Sequence, residues 1–408
     1  MEEKGSSRER LKISKFKLDA LLDITLSINA NLPVAQLLEK YDSILRNRLG
    51  IGKIMIFKLQ EKWECILNAG FPVSYEKSVN VEEQLMPFTE TAIVTNSPGF
   101  EGVDIIVPVY NNLVPLAFVF IGDIEEEGEG MSPVLKHLNF IQTISSIIIV
   151  AIENIRLFRE SLKQEAMKKE LELASRMQMM LIPHDKQLPS EGKIIVSGFY
   201  FPHYEVGGDY YDCITLSDNQ TGFCIADVSG KGISAAILMS NFQASLRALF
   251  TGEIELADLI SRLNRIVVAN AAGEKFITFF VARYDHITGV LEYVNAAHNP
   301  PVFYDTVTGE TLHLSSSCVG IGMLDEIPFV KTEKVKVKNH SKVVCYTDGL
   351  SELKDENGED IGTRLIIKHI SNSRPVKENI SLMLGELGIP DNNPGLFDDV
   401  SIIVADLF

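Results

Sequence analysis

The chain has 408 residues, 46 % of them hydrophobic, enough for two or three domains with cores of their own. Its formal net charge of −17 argues against a nucleic-acid binder, because that function rests on clustered Lys and Arg. The five cysteines (Cys65, Cys213, Cys224, Cys318, Cys345) stand far apart, with no CxxC or Cys/His spacing for zinc, and fit a reducing cytosol.

The opening "MEEKGSSRER" carries charge of both signs and no apolar stretch, so no signal peptide is expected there. Residues 1–15 are taken as a tail. Two helical patterns follow, "FKLDALLDITLSINA" and "VAQLLEKYDSILRNRL", and then short strands "KIMIFKL", "WECILNAG" and "DIIVPVYNNLVPLAFVFIGD", the last a hairpin about Asn111 and Asn112. Two helices followed by antiparallel strands make an α+β arrangement. Residues 16–132 therefore resemble a GAF sensory domain, which implies a small-molecule or protein signal bound there. Cys65 is read as a core strand residue and not as a chromophore attachment point. The acidic run "DIEEEGEG" is read as a solvated connection.

Between Pro133 and Pro183 there is neither proline nor glycine, and the pattern is helical throughout. A continuous helix of that length is a rod of roughly 70 Å. Ile148, Ala151, Ile155, Phe158 and Leu162 step by three and four as a heptad seam does, and after Leu162 the apolar phase shifts to Ala166, Leu173, Met177 and Met180. Residues 133–182 are expected to be a helical linker, either packed on the chain's own domains or paired as a parallel coiled coil in a homodimer. The most apolar run, "ISSIIIVAI", is about half a membrane span and is followed by Glu153, so no membrane segment and a cytoplasmic location are expected.

Residues 183–408 change in texture, to many strands with turn signals and two helical stretches, "GISAAILMSNFQASLRALF" and "LADLISRLNRIVVANA". Carboxylates recur at the ends of these strands. Asp209 follows the pair Gly207–Gly208, Asp227 precedes a glycine-bearing turn, Asp348 precedes Gly349, and Asp398 and Asp399 head the final strand. Paired glycines before an acid mark a bend or a close backbone approach. A cluster of carboxylates without compensating Lys or Arg repels itself unless cations neutralise it. Hard oxygen donors without His or Cys select Mg²⁺ or Mn²⁺ over zinc, and two such ions can activate a water for attack on a phosphoryl group.

The segments "VGGDYYD", "ADVSGKGISAAILM", "NAAHNPPVFY", "YTDGLSE" and "FDDVSIIV", led in by "ASRMQMMLIP", resemble the bacterial SpoIIE/RsbU-like branch of the PPM (PP2C-type) serine/threonine phosphatases over about residues 166–408. The resemblance implies an α-β-β-α sandwich with two Mn²⁺ or Mg²⁺ ions in a cleft at one end. It implies Asp227 as the ligand bridging both ions, the carbonyl of Val228 beside it, Asp348 and Asp398 as ligands of the first ion, and Asp209 as a ligand held directly or through water. Catalysis would run through metal-activated water, with Asp399, Lys231 and Gly208 behind the ligands. Lys231 is read either as steadying a phosphate oxygen or as a solvated lysine, since the P-loop spacing GxxxxGK[ST] is absent. His298 is read as structural before catalytic, and Ala297 departs from the family's usual Gly. No counterpart is found for the arginine that grips phosphate in many eukaryotic relatives.

The function implied is a protein serine/threonine phosphatase acting on a phosphoprotein, of the anti-sigma-factor antagonist type, and regulated through the linker. The alternative is a non-catalytic phosphoprotein-binding adaptor of the same fold, which the retained Asp209, Asp227, Asp348 and Asp398 oppose. A nucleotide cyclase has little room beside these motifs.

Overall fold

The computed structural model describes residues 2–95, 97–124, 133–203, 206–353, 362–389 and 398–408. Contacts divide the chain into two compact units, Met1–Glu165 and Ala166–Phe408. The acidic run expected as a solvated connection lies, from residue 125 on, outside the described residues.

In the first unit, helices α1 (Glu2–Asn29) and α2 (Val34–Leu49) lead into strands β1 (Ile51–Leu59) and β2 (Trp63–Ala69). Short helices α3 (Val73–Ser78) and α4 (Val81–Gln84) precede β3 (Ala92–Ile93), β4 (Ile105–Asn111) and β5 (Val114–Ile124), and α5 (Pro133–Met179) follows. The sheet is antiparallel in the order β2-β1-β5-β4-β3. Asn112 turns the β4–β5 hairpin with φ of 55°, a left-handed conformation that Asn tolerates, where the "NN" signal placed it.

One face of this sheet packs on the helices, with Ile24, Leu37, Tyr41, Ile144, Ile148 and Ile149 in the core. The other face carries a second core around Met55, Phe57, Phe118 and Phe120. Ile148 and Ala151, of the heptad-like seam for which both intramolecular packing and pairing between copies were open, are buried in this unit, and Ile155 packs at its edge. Phe158 and Leu162 are exposed. Periodicity reports that a stripe needs cover and does not say what supplies it. One stretch of α5 is long and apolar enough to cross a membrane, yet half of its most apolar window is buried.

In the second unit, the end of α5 and a single 3₁₀ turn (Asp185–Gln187) lead to β6 (Ile194–Phe201), β7 (Tyr210–Ser217), β8 (Gln220–Val228), α6 (Ile233–Leu249) and α7 (Leu256–Ala271). Then come β9 (Ile277–Asp285), β10 (Val290–Ala296), β11 (Val302–Asp305), β12 (Thr311–His313), β13 (Glu333–Lys336) and β14 (Ser341–Tyr346). Helices α8 (Asp348–Ser351), α9 (Gly362–Ile370) and α10 (Val376–Leu387) precede β15 (Val400–Leu407).

These strands form two antiparallel sheets, β13-β10-β9-β8-β7 and β12-β11-β14-β15-β6. The main core holds Ile225, Phe280 and Val294 of the first sheet with Val343, Cys345 and Ile403 of the second, and Phe242 and Leu263 of α6 and α7. A separate core sets Ile366, Ile380 and Met383 of α9 and α10 against Val344, Ile402 and Val404. The layers are therefore helix, sheet, sheet, helix. All eight positions of β15 are buried, because both of its faces are covered.

Candidate active site

The expected aspartates gather where several strands of the sandwich end. Asp227 lies inside β8, one residue before its end, and Asp209 lies in the connection just ahead of β7, not within a strand. Asp348 opens α8, immediately after β14 and Thr347, while Asp398 and Asp399 precede β15. Strand register fixes the first two as neighbours, since Tyr210 pairs with Ala226.

The glycines set the approach. A Cβ on Gly208 would stand 2.9 Å from the carbonyl oxygen of Val228, so only glycine lets the two backbones meet there. A Cβ on Gly207 would stand 2.1 Å from Asp399 Oδ2 and 2.2 Å from the Tyr200 hydroxyl. Asp399 in turn holds this connection by its backbone: its Oδ1 accepts from the His203 N–H at 2.8 Å and its Oδ2 from the Gly208 N–H at 2.8 Å. Asp209, only 2 % exposed, accepts from the Thr347 hydroxyl at 2.8 Å, and that hydroxyl accepts from the Ser401 N–H at 2.9 Å. Asp398 pairs with Lys231 at 2.8 Å.

Electrostatically these groups form one cluster. Burial, and then the charge of Asp227, push the Asp209 carboxyl well above the usual carboxylate range. Burial raises Asp227 to about 7, with Asp348, Asp398 and Asp399 adding repulsion. Asp348 and Asp399 are raised as well, again chiefly by burial. Among the described residues, no three Asp, Glu, His or Cys side chains are spaced to close on a single ion. The donor set nevertheless fits hard divalent cations: it is all oxygen, largely buried and short of positive charge. Positive charge within the cluster would bring each of these carboxyls back towards its ionised form.

Other residues near the cluster have structural work. Asp212 is fully buried and takes the Arg247 guanidinium at 2.7 and 3.0 Å together with the Tyr210 hydroxyl, which fixes β7 to α6. His298 is 4 % exposed, with Nδ1 2.9 Å from the Thr278 hydroxyl opposite Asp227 and its N–H on Asn295 Oδ1 at 2.8 Å. Burial lowers its pKa to about 4, leaving it neutral. Ala297 adopts φ of 54°, the left-handed conformation that glycine takes without strain.

Three contacting residues escape a reading along the sequence. Gln178, near the end of α5 and 6 % exposed, clasps Gly207: its amide donates to the Gly207 carbonyl at 2.5 Å and accepts from the Gly207 N–H at 3.1 Å. A single amide among the methionines of "RMQMML" was its only signal. Thr347 precedes Asp348 without standing out, and Lys275 reaches the turn after Asp227 only in the fold, its Nζ donating to the Ser229 carbonyl at 2.8 Å.

Residues 217–408 match the family model described as Stage II sporulation protein E (SpoIIE). The chain is 27 % identical over 246 residues to phosphoserine phosphatase RsbU of Bacillus subtilis (strain 168), across 59 % of this chain and 71 % of that protein. It is 24 % identical over 190 residues to phosphoserine phosphatase RsbP of the same organism, across 45 % of this chain and 46 % of that one. Among solved structures, the SiaA-PP2C domain of Pseudomonas aeruginosa aligns over 60 % of this chain and 98 % of its own, with a TM-score of 0.51 at 20 % identity, which shows a shared fold.

Proposed function

We propose that the chain, whose residues 217–408 match the SpoIIE family model, is a metal-dependent protein phosphatase hydrolysing phosphoserine or phosphothreonine on a partner protein. The observation that carries this reading is the cluster of Asp209, Asp227, Asp348 and Asp398, delivered from four segments to one end of the sandwich and held there against its own repulsion.

In this reading Asp209, Asp227, Asp348, Asp398 and the Val228 carbonyl hold two ions of Mg²⁺ or Mn²⁺. Such ions would supply positive charge to offset the carboxylates and would make a water acidic enough to act as a nucleophile. The chain's own part is placement. Thr347 fixes the orientation of the Asp209 carboxylate, and Asp399 ties the Gly207–Gly208 connection to the head of β15. His298 stays neutral and takes no proton at working pH.

The first unit, in the same proposal, is a GAF-like sensory domain of residues 16–132, and residues 133–182 link it to a phosphatase domain of residues 183–408. Gln178 supports this coupling, because the last turns of α5 are bonded directly to the backbone beside Asp209. Phe158, Leu162, Leu173 and Met177 leave an exposed apolar series on α5, continued by Met180 just past its end, which fits pairing of two copies as a coiled coil. A cytoplasmic phosphoprotein of the anti-sigma-factor antagonist type is the proposed substrate.

The test is phosphate release from a phosphoserine protein and from p-nitrophenyl phosphate, with Mn²⁺ or with chelator, for wild type and Asp227→Ala. Turnover that depends on both metal and Asp227 is expected. Absence of turnover together with absence of Mn²⁺ binding would replace the enzyme by a phosphoprotein-binding adaptor.

A further inference from the structure

A phosphomonoester brings close to two negative charges to the cleft near neutral pH. The site itself is lined with carboxylates, Asp209, Asp227, Asp348, Asp398 and Asp399, from four segments of the chain. A cationic side chain beside these carboxylates, in addition to any bound ions, would help to hold the ester. Lys231 lies there, but its ammonium is engaged with Asp398 at 2.8 Å.

Lys275, just before β9, folds over the same turn. Its Nζ donates to the Ser229 carbonyl at 2.8 Å, one residue past Val228. The neighbouring backbone locks this arrangement: the Ser229 N–H donates to the Phe276 carbonyl at 2.9 Å, and the Phe276 N–H donates to Ser229 Oγ at 2.9 Å. Gly230 has φ of 79°, and a Cβ there would stand 2.6 Å from Lys275 Nζ, so glycine leaves room for the ammonium. An ammonium carries three N–H donors, and Ser229 takes one. Among the described residues no carboxylate lies within ion-pair distance of Lys275.

We propose that Lys275 is the side chain that grips the substrate phosphate, holding phosphoryl oxygens with the donors that Ser229 leaves over. The proposal rests on the phosphatase reading of the same site and names the residue that does there what arginine does for phosphate elsewhere. Because the stem is already fixed on the turn, little side-chain entropy remains to be lost when phosphate arrives.

The variants Lys275→Gln and Lys275→Arg separate the two roles. Gln keeps a donor for the Ser229 carbonyl and loses the charge; Arg keeps the charge. With p-nitrophenyl phosphate and Mn²⁺, K275Q is expected to raise KM and the inhibition constant of inorganic phosphate by about tenfold or more. K275R should stay within about threefold of wild type, with thermal midpoints alike. An unchanged phosphate inhibition constant in K275Q, or a fall in kcat alone, would overturn the proposal and leave Lys275 as an anchor of the turn. So would a failure of both variants to fold. If wild type itself shows neither turnover nor Mn²⁺ binding, the phosphatase reading fails separately. Broadening of the ³¹P resonance of inorganic phosphate by each protein with Mg²⁺ then decides, where loss in K275Q supports the grip and equal broadening refutes it.

Discussion

Replacing Gln178 by leucine removes both hydrogen bonds to Gly207 while keeping the side chain's bulk. Gly207 is buried, so its N–H and carbonyl are left without the partners they have at 3.1 and 2.5 Å. Each buried backbone group left unpaired costs about 1–3 kcal/mol. Part of that loss is recovered if the connection moves out to water, and that movement carries Gly208 and Asp209 away from Val228. A net bias of about 2 kcal/mol towards the displaced connection is a loss of about 30-fold in the competent population. We expect kcat/KM for p-nitrophenyl phosphate to fall by roughly that factor in Q178L. Hydrogen exchange at the Gly207 and Gly208 amides should speed up, while the thermal midpoint of the sandwich falls only modestly. Q178E, which can accept from Gly207 but not donate to it, should lie between. Activity within twofold of wild type, with exchange at Gly207 unchanged, would refute the reasoning.

Gly208→Ala places a Cβ 2.9 Å from the Val228 carbonyl oxygen and 3.3 Å from its Cβ, so one of the two segments has to give way. A displacement of that kind should lower kcat by about 100-fold and weaken Mn²⁺ binding in a titration; wild-type affinity would contradict it. Ala297→Gly should stabilise the second unit. Relief of left-handed strain gives about 1–2 kcal/mol and glycine's greater freedom when unfolded takes back about 0.5–1 kcal/mol, so a midpoint higher by a few degrees is expected and a lower one counts against strain at this turn. His298 sets a pH dependence. Its folded pKa is lowered from 6.5 to about 4 by burial. The unfolded chain therefore binds a proton that the folded one refuses, and this contribution is complete above pH 6.5 and declines towards pH 4. The loss amounts to about 2 kcal/mol by pH 5. Urea midpoints at pH 7 and pH 5 should converge in His298→Asn relative to wild type, and equal slopes in the two proteins would discount burial as the cause.

The helices α6 and α7 stand where "GISAAILMSNFQASLRALF" and "LADLISRLNRIVVANA" place them, because local periodicity and glycine boundaries carry that information. The aspartates could be found for a related reason: each sits at a chain feature, a strand end or a glycine, visible without knowing its neighbours. Gln178, Thr347 and Lys275 have no such marker, and their roles exist only once distant segments meet. The stripe on α5 shows a third situation. Its spacing was legible, but Ile148 turned out to face its own unit, since two different partners can cover the same stripe. Ala297 shows a fourth, in which an expected glycine is absent and the backbone keeps the glycine-like conformation at a cost.

The position of β15 also bears on the order in which the protein can be built. This strand lies between β14 and β6, and its neighbour Asp399 bonds to Gly208, 191 residues earlier in the chain. On a ribosome, β6 and the Gly207–Gly208 connection emerge long before the strand that pairs with them. Contacts of such long sequence separation form slowly, and an unpaired β6 edge exposed meanwhile invites association with other chains. The cluster of carboxylates cannot assemble until β15 has closed the sheet, so an unfinished chain carries most of the fold's residues and none of its chemistry.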